Sequence, residues 1–400
     1  MISKYGTPLW MYNFNVILKK IKELQKFDTI RFAQKSCSNI HILSLLKKYN
    51  VKIDAVSFGE IRRGLCAGYV STINQDIIFT ADIIDDQTLN EVIKHDISVN
   101  VGSIDMLKQI GIKSPGHKIW LRINPKFGHG HSKKTNTGGE NSKHGIWDVS
   151  SALPYIKKYS LKLCGLHMHI GSGVDYIYLE KACKTMVNYV LKFNLNIRSI
   201  SAGGGLMIPY RCNDASIDIK KYFKIWDNSR KLISNYLNRS IKLEIEPGRF
   251  LVAESGILVS TVYAIKKTST KTFILIDAGF NDLMRPVMYG SYHYISVIPK
   301  DGRFLDENDT TDVVVGGPLC ESGDVFTQNE YGDIETRKLP NVKLGDYLIF
   351  HDVGAYGASM SSIYNSRPLI PEILFKNNKF RVIRRRQTIE ELLELEINSC

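Results

Sequence analysis

Over its first two thirds the chain repeats one unit: a short β-branched apolar run, a polar turn, then a stretch with helical spacing. The apolar runs fall at 29–33, 53–56, 77–79, 98–101, 118–123, 163–168, 197–201 and 241–245. Helical spacing fills most of the gaps, at 40–49, 60–67, 86–95, 104–110, 178–191 and 219–237. Strands that alternate with helices lie parallel, because each crossover carries the chain back to the same end of the sheet. A count of eight favours closure into a (β/α)8 barrel over an open, doubly wound sheet. After about residue 250 the texture changes. Runs at 258–265, 272–276, 312–315, 346–351 and 380–383 read as strands separated by turns, with few helices between them. The expectation is an α/β protein, with a barrel over 25–250 and a β domain built from 1–24 plus 251–400. The run at 9–12 is a spare strand that could join that β domain. Thr388 and Glu391 form a capping box that opens a C-terminal helix. The polar stretch 128–145 is the one long loop, of a length that is usually functional or mobile.

Barrel chemistry is done at the carboxyl ends of the strands, so the residues that follow each strand matter most. Lys35 follows the first strand and Ser57 the second. His167, His169, Ser172 and Gly173 follow the sixth, Gly203-Gly204-Gly205 the seventh, and Glu246-Pro247-Gly248-Arg249 the eighth. Reactive side chains and glycines therefore cluster on one rim. Each has an ordinary reading. Lys35 could be a surface lysine, although Phe32 and Ala33 point towards burial, and a desolvated lysine has a lowered pKa and can form a Schiff base. The three glycines could be only a turn, yet a glycine-rich loop after strand seven, with Arg249 after strand eight, lies where barrels bind phosphate. His167-Met168-His169 could suggest a metal, but no third ligand stands at convincing spacing, and an imidazole can instead stack on a flat cofactor. Glu246 and Arg249 could be a simple ion pair. A lysine, a phosphate loop, a stacking ring and a carboxylate able to pair with a protonated ring nitrogen are together the parts needed to hold pyridoxal 5'-phosphate.

Composition excludes other classes. The 53 basic and 40 acidic residues give +13, but the excess is spread along the chain and only Arg384-Arg385-Arg386 forms a tight cluster. No zinc-finger or single-strand-binding signature accompanies it, so nucleic acid is not the expected partner. Small anionic substrates suit the charge better. No apolar run approaches the roughly 18 residues that span a bilayer, and the start, residues 1–8, has no secretory signal pattern. Seven cysteines without C-x-x-C spacing argue against a disulfide framework or a structural zinc site, and for a reducing cytoplasm.

The rim residues, with several blocks beyond them, carry a resemblance. The blocks are 31–39 around Lys35, 167–173, 246–249, 277–286 ending in Arg285-Pro286, Gly317-Pro318-Leu319-Cys320-Glu321 with Asp324, and Gly354-Ala355-Tyr356. Over residues 5–396 the chain resembles the diaminopimelate decarboxylase family, pyridoxal-phosphate enzymes of the alanine-racemase-like fold type. The loop at 129–141 looks like that of one bacterial branch of the family.

The resemblance implies decarboxylation of meso-2,6-diaminopimelate to L-lysine and carbon dioxide, the last step of lysine biosynthesis, in a homodimer with shared active sites. It implies that Lys35 carries the cofactor covalently and that Glu246 keeps the pyridine nitrogen protonated. Racemases of this fold typically have arginine at that position, so a carboxylate favours decarboxylation. By the same likeness His169 stacks on the ring, while Ser172, Gly203–Gly205, Arg249 and Tyr356 hold the phosphate. Cys320, otherwise readable as a small buried hydrophobe, reaches the partner subunit's site as the proton donor. Arg285 and Tyr289 hold the distal carboxylate of the substrate and Glu321 its distal ammonium, with Arg249 and Tyr356 also near the substrate. A sister decarboxylase acting on ornithine, arginine or carboxynorspermidine is the alternative. A regulatory homologue without cofactor is disfavoured by Lys35 and Cys320, and a racemase by Glu246.

Overall fold

Eight parallel strands close on themselves in the computed structural model, which describes residues 2–72, 75–129, 136–173, 175–306 and 308–397. Residues 130–135 of the 128–145 loop lie outside the described residues. Two compact units divide the chain: Lys20–Met207 with Ser216–Phe250, and Met1–Lys19 with Ile208–Ala215 and Leu251–Cys400.

In the first unit the barrel strands are Thr29–Ala33, Lys52–Ala55, Ile77–Ala81, Ser98–Val101, Lys118–Arg122, Lys162–His167, Ser199–Ser201 and Lys242–Ile245. They pair in sequence order, and the first closes the ring on the last, with Ile30 opposite Ile245. Their near-continuous apolar runs fit strands covered on both faces. Small polar residues start the outer helices. Ser57 accepts from the Glu60 N–H at 3.2 Å, Asp85 from Thr88 at 2.7 Å, and Asp218 from Lys221 at 3.0 Å. Each satisfies an amide donor that the first helical turn leaves open. A glycine lets one helix pack closely: a Cβ on Gly111 would lie 2.2 Å from the Tyr159 ring and 2.8 Å from its Cβ.

The second unit is a nine-stranded mixed sheet. Its backbone runs Arg337–Pro340, Thr310–Gly316, Thr272–Ile276, Gly256–Lys267, Leu9–Asn13, Glu372–Lys376, Lys379–Arg384, and Tyr347–Phe350 and Ile295–Ile298 branch from Gly256–Lys267. The expected spare strand joins the sheet as Leu9–Asn13, antiparallel to Gly256–Lys267 and parallel to Glu372–Lys376. Leu9, Val259, Ile349 and Ile373 pack together as a buried cluster. The capping box forms, with Thr388 N–H to Glu391 at 2.9 Å and Glu391 N–H to Thr388 Oγ1 at 3.3 Å.

Asp282, buried in the sheet unit, accepts from the Gly279 N–H at 3.2 Å. Burial raises its carboxyl to about 7, against the pull of that amide and of the Arg367 charge. A folded pKa above the unfolded one means that the native state holds a proton the unfolded chain releases. Its contribution is therefore complete below about pH 4 and is lost as pH rises to about 7. Asp282→Asn, which never ionises, raises the melting temperature at pH 8 but leaves it nearly unchanged at pH 4. The expected gain at pH 8 is on the order of 2–4 kcal/mol. Equal shifts at both pH values would mean that Asp282 is not protonated in the fold.

Candidate active site

The carboxyl rim of the barrel gathers the expected residues in one place. Lys35 lies in a single 3-10 turn, Gln34–Ser36, directly after the first strand. Gln34 and Ser36 are buried, whereas Lys35 is exposed. This corrects the expected burial: the strand stops at Ala33, and the turn that follows leaves Lys35 exposed at the rim. Its charge acts on Asp54, Glu60 and His169. Gln34 donates to the Glu60 carbonyl at 3.1 Å and Ser36 to the Ala33 carbonyl at 2.9 Å, which fixes the turn on either side of the lysine.

Glu246 is the electrostatic centre of the rim. It is buried, and its two oxygens accept from His167 Nε2 at 2.7 Å and Ser201 Oγ at 2.9 Å. Burial alone would raise its pKa. The His167 charge and hydrogen bond, the Ser201 bond and the Arg31 charge outweigh burial and hold the carboxyl below its ordinary range. Asp54 goes the other way. Fully enclosed, with the Glu246 charge nearby, its pKa is pushed well above its ordinary value. Two carboxyls shifted in opposite directions thus share one rim, a pattern that marks functional sites. Arg122, also buried, acts on both and on Asp82. His169 is held neutral by burial and by the charges of Lys35 and Arg122.

Ser201, Asp54 and Arg122 carry no motif. The signal they offer is a polar residue within an apolar barrel strand: Ser201 and Arg122 end theirs, and Asp54 stands next to last. His167 stood in view as half of a His-x-His pair, and its Nε2 meets Glu246.

Beside this cluster runs a cradle of glycines. Gly203 and Gly205 adopt φ of +63° and +99°, which side chains disfavour. A Cβ on Gly204 would lie 2.5 Å from the Glu246 carbonyl, and one on Gly205 2.2 Å from the Gly171 carbonyl. The loop around Ser172 is tied to it, with Gly173 N–H to the Gly205 carbonyl at 3.0 Å. Pro247 and Gly248 are buried: Pro247 accepts from the Ala33 N–H at 3.2 Å, which joins the eighth-strand turn to the first, and Arg249 opens the next helical turn, half-buried. A small cleft opens here, lined among others by Gly171, Gly173, Ala202, Gly204 and Trp226. The described end of the 128–145 loop seats on the same rim, since Thr137 donates to the His169 carbonyl at 2.8 Å.

The remaining expected residues belong to the sheet unit. Arg285 and Tyr289 begin and end one short helix, with Arg285 buried and Tyr289 half-buried. Arg285 donates to His293 Nε2 at 2.8 Å, and its guanidinium lies over the Tyr210 ring at 5.0 Å. Cys320 and Glu321 are exposed on a tight loop. Asp324 shapes that loop by accepting from Leu319 and Phe280 N–H groups at 2.8 Å each, and the Cys320 N–H donates to Asn365 at 2.8 Å. The exposure of Cys320 does not fit a packing role. Tyr356 is half-buried with φ of +58°, a conformation rare outside glycine.

The expected cofactor can be tested against these residues. A flat ring with a phosphate needs a close-approach backbone, a neutral ring to stack on, an amine and an ionised carboxylate. The rim supplies all four: side chains are excluded at Gly204 and Gly205, His169 is neutral with a buried, unpartnered Nδ1, and Glu246 is ionised. Each Glu246 oxygen has a second lone pair for another donor.

Comparison with known proteins agrees with this fit. Residues 15–253 match the family model described as pyridoxal-dependent decarboxylase, pyridoxal binding domain, and 176–354 the one described as pyridoxal-dependent decarboxylase, C-terminal sheet domain. The diaminopimelate decarboxylase of Buchnera aphidicola subsp. Baizongia pistaciae is 70% identical over 398 residues, covering 100% of this chain and 95% of that protein. That of Escherichia coli K12 is 58% identical over 398 residues, covering 99% and 95%. A crystal structure of diaminopimelate decarboxylase superposes with a TM-score of 0.97 at 57% identity, covering 99% of this chain and 95% of that one. The Helicobacter pylori enzyme complexed with L-lysine superposes at 0.87 and 31% identity, covering 100% and 99%.

Proposed function

Since the chain belongs to the pyridoxal-dependent decarboxylases and, within them, to the diaminopimelate decarboxylases, we infer that its reaction is the removal of carbon dioxide from meso-2,6-diaminopimelate to give L-lysine. The observation that carries this reading is the buried Glu246 carboxylate, kept ionised by His167 and Ser201 on the barrel rim. When bound, pyridoxal 5'-phosphate supplies a sink for the electron pair that carbon dioxide leaves behind. The ionised Glu246 would favour a protonated ring nitrogen. Lys35 would hold the cofactor through its ε-amine, neutral His169 would flank the ring, and Ser172, Gly203–Gly205, Pro247–Arg249 and Tyr356 would hold the phosphate by backbone and charge-assisted bonds. The raised pKa of Asp54 disfavours a second negative charge beside Glu246.

We assign Cys320 as the proton donor, on a homodimer in which each site takes Lys35 from one chain and Cys320 with Glu321 from the other. The shaped, exposed loop of Cys320 supports that role, since a donor must be titratable and within reach of the reacting carbon. A reducing cytoplasm suits an exposed catalytic thiol. Among the described residues no helix is long and apolar enough to cross a membrane.

The substrate sets the specificity problem: its far end carries a carboxylate as well as an ammonium. Arg285, with Tyr289, takes the carboxylate, and Glu321 the ammonium. Incubating the purified protein and cofactor with meso-diaminopimelate, ornithine and arginine should yield L-lysine from the first alone; products from the other two would revive the sister-decarboxylase reading. Arg285→Ala is expected to lower kcat/KM for diaminopimelate by about 2–5 kcal/mol, the cost of leaving a bound carboxylate unpaired. Unchanged kcat/KM would remove Arg285 from the carboxylate site.

A further inference from the structure

We propose that His293 is a positioning residue that aims the Arg285 guanidinium at the distal carboxylate of the substrate. The inference rests on the assignment of that carboxylate to Arg285. His293 is buried and its Nε2 lies 2.8 Å from Arg285 Nη1, while its Nδ1 lies 2.9 Å from the His351 carbonyl. A guanidinium can only donate, so Nε2 accepts. A carbonyl can only accept, so Nδ1 carries the proton. The two bonds together fix one tautomer of a neutral ring.

Neutrality is the useful property. A carboxylate at this position would orient the guanidinium equally well but would cancel the charge the substrate must meet. The imidazole orients it and leaves the charge intact. Arginine otherwise has a long side chain with many rotamers. Two further contacts restrict it here. The Tyr210 ring lies under the guanidinium at 5.0 Å, and the same ring meets His293 edge-on at 5.4 Å and 86°. His293 is itself anchored on the sheet: His351 follows the strand Tyr347–Phe350, whose neighbour Ile295–Ile298 begins two residues after His293. The fork is thus referenced to the rigid sheet rather than to its own five-residue helix.

The test compares two ligands of the holoenzyme that differ only in the distal carboxylate, L-lysine and 1,5-diaminopentane, each as a competitive inhibitor. His293→Asn can still donate to the His351 carbonyl but is too short to reach Arg285. His293→Gln can reach it. Asn should weaken L-lysine about tenfold, leave 1,5-diaminopentane within about twofold, and raise KM for diaminopimelate more than it lowers kcat. Gln should recover most of the lysine affinity, and adding His293→Asn to Arg285→Ala should cost little more. The proposal is overturned if both ligands weaken together, which marks a structural role, or if neither does. If His293→Asn does not fold, His293→Leu, which fills the same buried volume, replaces it with the same expected outcomes. Failure of the underlying assignment is seen separately, as an Arg285→Ala variant that still distinguishes the two ligands as the wild type does.

Discussion

Lys35→Ala abolishes turnover and leaves the fold intact. The loss should reach three orders of magnitude or more, about 4 kcal/mol in the barrier at least, because under the proposed function that amine would anchor the cofactor. Stability should change by no more than about 0.5 kcal/mol, for Lys35 is exposed and its turn is held by Gln34 and Ser36 on either side. The two halves are read separately. Thermal unfolding reports the fold, and mass spectrometry after borohydride reports whether the cofactor is fixed to the chain. A borohydride-fixed cofactor on the Lys35→Ala protein would show that another lysine is the anchor. A large drop in melting temperature would show instead that Lys35 is structural.

A mixture of two dead variants should regain activity. Lys35→Ala lacks the amine and Cys320→Ala lacks the thiol, so on the proposed homodimer each variant alone is inactive at both sites. If a site draws on both chains, a mixed dimer has one site with both defects and one with neither. Random reassortment makes half the dimers mixed, so activity should recover to roughly a quarter of wild type. Subunit exchange must be demonstrated independently, for example by native mass spectrometry of differently tagged chains. No recovery, with exchange shown, would mean that each site is built within one chain. Activity in Cys320→Ala alone would mean that another group donates the proton.

The barrel was legible because its strands are covered on both faces and so carry short apolar runs, such as Ile77-Ile78-Phe79 and Ile119-Trp120-Leu121. The sheet unit was harder to read. Arg337–Pro340 carries two basic residues and a proline, and Glu372–Lys376 opens on a glutamate. That glutamate is buried and bonded to Tyr12 at 2.8 Å and Arg384 at 3.1 Å, partners that no local pattern could show. In the site, the rim residues were legible because barrel topology says where to look. The pairs were not. His167 meets a carboxylate 79 residues away, and His293 reaches Arg285 across the turn at Gly290 that ends the short helix. Burial of Lys35 was inferred from its apolar neighbours Phe32 and Ala33, but the strand ends at Ala33 and Lys35 lies in the exposed position of the turn that follows.

The central position of Leu9–Asn13 has a consequence for how the chain is made. Tyr12 is translated 360 residues before Glu372, which it bonds in the finished sheet. At about 5–20 residues per second, the strand leaves the ribosome roughly 20–70 s before its last neighbour exists. During that interval Leu9-Trp10-Met11-Tyr12 is an apolar segment with open backbone donors and acceptors, the kind of edge on which nascent chains associate. A tag or truncation at the amino terminus therefore acts on the middle of a sheet whose other strands are all synthesised later.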